Sequence, residues 1–183
     1  MSELARVEYE ALRTTIRERG TLRIWLFLAG TGVWGALALG LSAADQIEGA
    51  VTLVPLMALA TTFEAVFAVH VGVERIGRFV EVHYESGVGP PCWEATSTMY
   101  AKRFPGTGPD ALFLTWFWLA ALLNFFLIPP GTFSAHPAWL LIRLVAHLVF
   151  GWRLRTARTA AAGQRSADLE RFSVLKREET KTT

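Results

Sequence analysis

"FEAVFAVHVGVERIGRFVEVHYE", residues 63–85, begins as an apolar run and ends as a charged one, with no proline to part the two. It carries Glu64, His70 and the adjacent pair Glu74 and Arg75. Read backwards to Ala50, the only proline is Pro55, so one helix is expected over residues 50–84, about 52 Å at 1.5 Å per residue. A bilayer's hydrocarbon core is about 30 Å thick, so such a helix would cross a membrane and project several turns beyond it. On the projecting turns, Glu74 precedes Arg78 by four residues and Arg78 precedes Glu81 by three, both pairable spacings on a solvated helix end.

The rest of the chain suits that environment. Of 183 residues 52% are hydrophobic and mean hydropathy is +0.32. The apolar residues gather in four runs, Ile24–Ala44, Ala50–Val73, Ala111–Ile128 and Ala138–Trp152. A crossing helix needs roughly 17–25 mostly apolar residues. The first three runs qualify by length; the fourth is shorter and contains Arg143 and His147. Of 18 Lys and Arg residues, five lie in 1–23, four in 74–110 and eight in 153–183, whereas the connections "DQIEG" (45–49) and "PPGTFSAHP" (129–137) hold none. Basic residues stay on the cytoplasmic side of short loops. The expectation is an all-α, four-helix transmembrane bundle with both termini in the cytoplasm. Residues 1–23 form a cytoplasmic amphipathic helix, 24–152 a membrane domain (spans 24–44, 50–73 continuing to 84, 111–128 and 138–152), and 153–183 a basic cytoplasmic tail. The Arg-over-Lys excess, 15 to 3, points to a bacterial inner membrane.

Several features refine this outline. "SELARVEYEALRTTIRER" (2–19) has Ser2 as an N-cap, with Leu4, Val7 and Ala11 on one side and Leu12 and Ile16 beside them, and Gly20 offers a stop. It suits a membrane surface or a partner. "LSAAD" resembles a cleavage site after Ala44, but its apolar run exceeds the usual 7–15 residues, so an uncleaved span is expected. Gly32, Ala36 and Gly40 recur every four residues, a face on which helices approach closely in lipid. In 86–110, Trp93, Tyr100 and Phe104 can share one side of a short helix near Lys102 and Arg103, which suits headgroups. "GTG" there lacks the Gly-Lys-Ser/Thr continuation of a phosphate loop. The polar stretch after Ala162 is expected to be flexible unless a partner holds it.

The candidate site residues follow from depth. With the boundary set at Glu74 on the second span and Arg153 on the fourth, Glu64 and Arg143 each lie about 15 Å inside, His70 about 6 Å and His147 about 9 Å. An isolated charge at that level costs about 2.5–3.5 kcal/mol, so Glu64 and Arg143 are expected to form an ion pair, with Thr61, Thr62 and Asn124 as alternative partners. Histidines from two helices at similar depth could also hold haem b, or a metal together with Glu64. A proton or ion route is a third reading, although Glu64 lies on a different side of the helix from His70 and Glu74. No Ser-His-Asp, Cys-His or HExxH arrangement can be assembled, and the single cysteine, Cys92, excludes an internal disulfide. The sequence therefore favours an accessory or assembly subunit of a larger membrane complex, lodged in lipid among other subunits or further copies, with no nucleic-acid partner and no catalytic residue. The alternative is a small oligomeric channel or transporter.

Overall fold

Apolar chain that must satisfy its own backbone hydrogen bonds has helix as its simplest answer, and the computed structural model is helical throughout its regular elements. It describes residues 2–44, 49–86, 92–104, 110–127 and 137–182. The elements are α1 (Glu3–Ser42), a 3₁₀ turn (Gly49–Leu53), α2 (Val54–Val80), a π turn (Glu81–Glu85), α3 (Trp93–Arg103), α4 (Leu114–Phe126) and α5 (Pro137–Thr182). No strand occurs among the described residues. Three helical stretches, Glu3–Ser42, Gly49–Glu85 and Pro137–Lys181, are long and apolar enough to cross a membrane, and Leu114–Phe126 is a shorter apolar helix. The possible cleavage site after Ala44, the connections at 45–48 and 128–136 and the "GTG" at 106–108 reach into or lie outside the described residues.

Helix starts and stops follow local chemistry in places and override it in others. Ser2 caps α1, its Oγ accepting from the Ala5 amide at 3.2 Å. Gly20 does not end that helix. Glycine inside a helix costs about 1 kcal/mol, less than breaking the ladder between two strong helical segments, so residues 2–19 form the first half of a 40-residue helix rather than a separate element. Their Leu4 and Val7 are exposed. Pro137 opens α5, where a missing amide costs nothing. The stretch beyond Ala162, expected to be flexible, continues α5 as regular helix. Phe113, ahead of α4, adopts φ 52°, a strained value for a bulky residue, and its ring stacks on Phe27 at 4.2 Å.

The chain divides into two compact units. One, the apolar unit, comprises Arg23–Phe67 and Leu112–Arg158. Only eight of the chain's 34 charged residues fall in it. Parts of α1, α2, α4 and α5 enclose its core of Leu56, Leu59, Phe63, Phe117, Phe150 and Leu154. Phe63 is the hub: its ring meets Phe117 edge-on at 5.2 Å and Phe150 at 6.2 Å, and Phe117 meets Phe27 at 5.9 Å. Helices approach closely at Gly30, where a Cβ would come within 2.2 Å of Thr62, and at Gly151, where it would meet Trp118 at 2.9 Å.

The other, polar unit comprises Met1–Leu22, Ala68–Ala111 and Thr159–Thr183. Charges hold it together. Arg75 pairs with Asp168 at 3.1 Å, Arg165 pairs with Glu74, and Arg13 reaches Glu94 at 2.7 Å. Apolar contacts support these pairs: Phe79 meets Phe172 at 5.5 Å, and Tyr9 meets Tyr84 at 5.6 Å. Burial and the Glu8 carboxylate push the Tyr84 phenol up to about 12. The carbonyl of Val82, in the π turn, accepts from Lys176 Nζ at 2.6 Å.

Candidate functional site

Two groups of polar side chains are removed from solvent, one in each unit. In the apolar unit the group forms where α4 ends. A helix leaves its last four carbonyls without intrahelical partners, and in apolar surroundings each unmet carbonyl is costly. Arg143, 1% exposed, sends its guanidinium to this end, Nη2 donating to the main-chain oxygens of Asn124 and of Phe125, the latter at 2.9 Å. A cation also opposes the partial negative charge at a helix C-terminus. The guanidinium lies 5.7 Å from the Phe125 ring centre. Arg143 is thus a cap, holding α4 to α5.

The Asn124 side chain extends the group. Trp34 Nε1 donates to Asn124 Oδ1 at 3.4 Å, Asn124 Nδ2 donates to His147 Nε2 at 3.1 Å, and His147 Nδ1 donates to the Arg143 carbonyl at 2.8 Å. Because that carbonyl can only accept, the proton of the neutral ring sits on Nδ1. Every link points the same way, and the chain joins α1, α4 and α5. His147 also lines an apolar cleft of about 260 Å³ with Trp118, Leu122, Phe125, Leu144 and Leu148.

Glu64 does not belong to this group. Its carboxylate takes Arg153 through two hydrogen bonds, Nε to Oε1 at 2.7 Å and Nη2 to Oε2 at 2.9 Å. The expected Glu64–Arg143 ion pair is therefore corrected: Glu64 pairs ten residues further along α5, about 15 Å from where equal depths put its partner. Equal depths require both helices to leave the apolar layer at Glu74 and Arg153. Aromatic packing of Phe63 against Phe117 and Phe150 instead sets the register. An apolar stretch accepts this carboxylate because it stands where the apolar run of α5 gives way to Arg153, Arg155 and Arg158. The Arg153 guanidinium also lies over Phe67, 4.3 Å from the ring centre.

The second group lies in the polar unit. Arg78, 4% exposed, reaches Glu81 and Thr98, each at 2.5 Å, and Glu94 at 3.3 Å. The i,i+3 pair with Glu81 follows the helical spacing. Glu74, expected beside Arg78, pairs with Arg165 instead. Glu85, 8% exposed, accepts from the Ala95 amide at 3.0 Å and so caps the start of α3. Burial raises the Glu94 carboxyl above its ordinary value, and Arg13 and Arg78 pull it back only in part. Of the charges expected on a solvated helix end, Arg78 is buried, whereas Glu74 and Glu81 remain half-buried.

The remaining residues singled out from sequence are spread between the units. His70 lies in the polar unit and His147 in the apolar one. To ligate a haem or metal through Nε2, His147 would have to release Asn124. Among the described residues no three His, Cys, Asp or Glu side chains are grouped as a metal site requires. Gly32, Ala36 and Gly40 are exposed, and a Cβ on either glycine would meet nothing within 4 Å. Trp93, Tyr100 and Phe104 are also exposed. Sequence reasoning missed Trp34, Arg153, Glu94 and Asp168. For Glu94 and Asp168 nothing local separates a buried carboxylate from a solvated one.

Among the described residues the fold is all-helical, with three helices long and apolar enough to cross a membrane. Comparison with known protein families, curated proteins and solved structures finds no match to this chain.

Proposed function

We propose that the protein is an accessory or assembly subunit of a larger membrane complex. In this reading it crosses a bacterial inner membrane four times, α4 making the third crossing, with both termini in the cytoplasm. One observation carries the reading: α1 is the least covered of the long apolar helices, with only 6% of its most apolar window buried. Its exposed face holds Gly32, Ala36 and Gly40, on which another helix could lie closely. The polar groups support a structural role, since the Trp34–Asn124–His147–Arg143 chain and the Arg78 network direct their hydrogen bonds to other residues of the protein.

The test is purification of the full chain from its native membrane in mild detergent. Stable co-purifying subunits are expected, and Gly32→Leu with Gly40→Leu should release them while leaving thermal unfolding of the isolated chain unchanged. Purification of the wild type without partners would reject the subunit reading. The channel or transporter reading would gain instead from ion flux in liposomes that Glu64→Gln abolishes, and a haem-binding role from a Soret band in the purified protein.

A further inference from the structure

Within the polar unit, the π turn and the last turns of α5 enclose a cavity of about 500 Å³. Small-ligand sites commonly measure about 300–1,000 Å³. The α5 wall follows from helical period. At 100° per residue, Leu169, Ser173, Lys176, Arg177 and Thr180 share a face about 100° wide. Glu81, Val82 and Ser86 supply the other wall.

Hydrogen bonds decide which groups are left for a ligand. All three hydroxyls give their protons to the backbone: Ser86 Oγ donates to the Val82 carbonyl, Ser173 Oγ to that of Leu169 at 2.8 Å, and Thr180 Oγ1 to that of Lys176 at 2.8 Å. The remaining donors belong to two cations. Of the three N–H bonds of Lys176 Nζ, one goes to the Val82 carbonyl at 2.6 Å and one to Ser86 Oγ at 2.5 Å, which leaves the third. Arg177 gives Nε to the Ser173 carbonyl at 3.1 Å, while its Nη1 and Nη2 meet no partner among the described residues. Nor does a carboxylate among those residues answer either charge. Glu81, on the facing wall, pairs with the buried Arg78, and Glu179, three residues beyond Lys176, lies 3.8 Å from His83 Nε2. Two cations are thus held by backbone and hydroxyl oxygens beside the apolar Val82 and Leu169.

We infer that this cavity binds a phosphate ester, its phosphate taken by Arg177 and Lys176 and its organic body lying against Val82 and Leu169. A guanidinium presents a planar fork to two phosphate oxygens, and an ammonium a point charge to another. A carboxylate has only two oxygens, which the fork alone would occupy, and a neutral apolar ligand would desolvate both cations without answering them. The phosphate comes from a soluble ester or from a lipid headgroup, and the experiment separates the two. The inference does not depend on the subunit reading.

The full chain in a phosphate-free, non-ionic detergent is titrated calorimetrically with phenyl phosphate. Saturable binding that salt weakens is expected. Arg177→Gln should weaken it about tenfold or more, the scale of one charge-assisted hydrogen bond, with circular dichroism unchanged. Thr180→Glu, which sets a carboxylate four residues from Lys176, should abolish it, and Arg103→Gln, outside the cavity, should not alter it. That pattern identifies a soluble ester. No response to phenyl phosphate, but retention of phosphatidic acid over phosphatidylcholine in mixed micelles that Thr180→Glu reverses, identifies a lipid headgroup. Selective binding of neither probe overturns the inference. So does benzoate binding as tightly as phenyl phosphate, or Arg103→Gln weakening binding as much as Arg177→Gln, which would reduce it to attraction by overall charge.

Discussion

Glu64 and Arg143 separate two ways in which an ionised side chain can live in an apolar helix. Glu64 gains a bidentate partner at the edge of the apolar run of α5. Its side chain is 50% exposed and that of Arg153 is 27% exposed, so their coupling belongs to the surface scale of about 0.2–1 kcal/mol. A double-mutant cycle on thermal stability should find that coupling for Glu64→Gln with Arg153→Gln and none for Glu64→Gln with Arg143→Gln. Coupling in the second cycle instead would restore equal depths. Glu94 yields a pH prediction. Its carboxyl is raised in the folded protein, so folding binds an extra proton between the ordinary carboxylate value and the raised one. The associated stability is present below the ordinary value and fades as pH climbs through the raised one. Glu94→Gln keeps the shape and removes the titration, so unfolding curves from pH 4 to 7 should show a flatter dependence in the variant. An unchanged slope would assign that pH dependence to other groups.

Among elements, α4 is the one that cannot stand alone. Its 13 residues rise about 20 Å, and its closing carbonyls rely on Arg143. Arg143→Leu should therefore cost about 1–3 kcal/mol by stranding those acceptors, read as a lower unfolding temperature in detergent. Arg143→Lys, which keeps a cation without the planar fork, should recover part of the loss. A neutral Arg143→Leu would mean that α4 closes its own end. The contact of α1 with α2 makes the opposite demand, for absence of a side chain. Gly30→Ala would press a methyl group onto Thr62 and should cost about 1–3 kcal/mol, whereas Gly32→Ala, facing open space, should be neutral or slightly stabilising. Equal effects of the two substitutions would show that α1 packs by another face.

At the level of the molecule, the sequence discloses composition and period but not register. The helical run from Ala50 to Tyr84 (which opens as a 3₁₀ turn and closes as a π turn), the Ser2 cap and the Arg78–Glu81 pair are legible because each depends on residues a few positions apart. The partner of Glu64 is not, because it depends on how four helices interleave around Phe63. The packing of α3 is half legible: its aromatic side can be read from spacing, but not the charges that lock the other side inward. Register also carries a thickness. Pro137 to Trp152 on α5 is 16 residues, about 24 Å, less than a common hydrocarbon core. A long α1 can tilt, while short helices cannot lengthen. Reconstituted into phosphatidylcholines of graded chain length, the protein should therefore unfold at the highest temperature in the shorter lipids. A maximum in the longest lipids would show that Arg153 does not mark the apolar limit.

The capping of α4 by Arg143 bears finally on how such a chain is made. α4 leaves the ribosome ahead of residue 143, so the helix exists for a time without the donor that completes it. In lipid that interval would strand bare carbonyls, and it can be avoided only if α4 waits at the translocon until α5 follows. The two would then enter the bilayer as a hairpin.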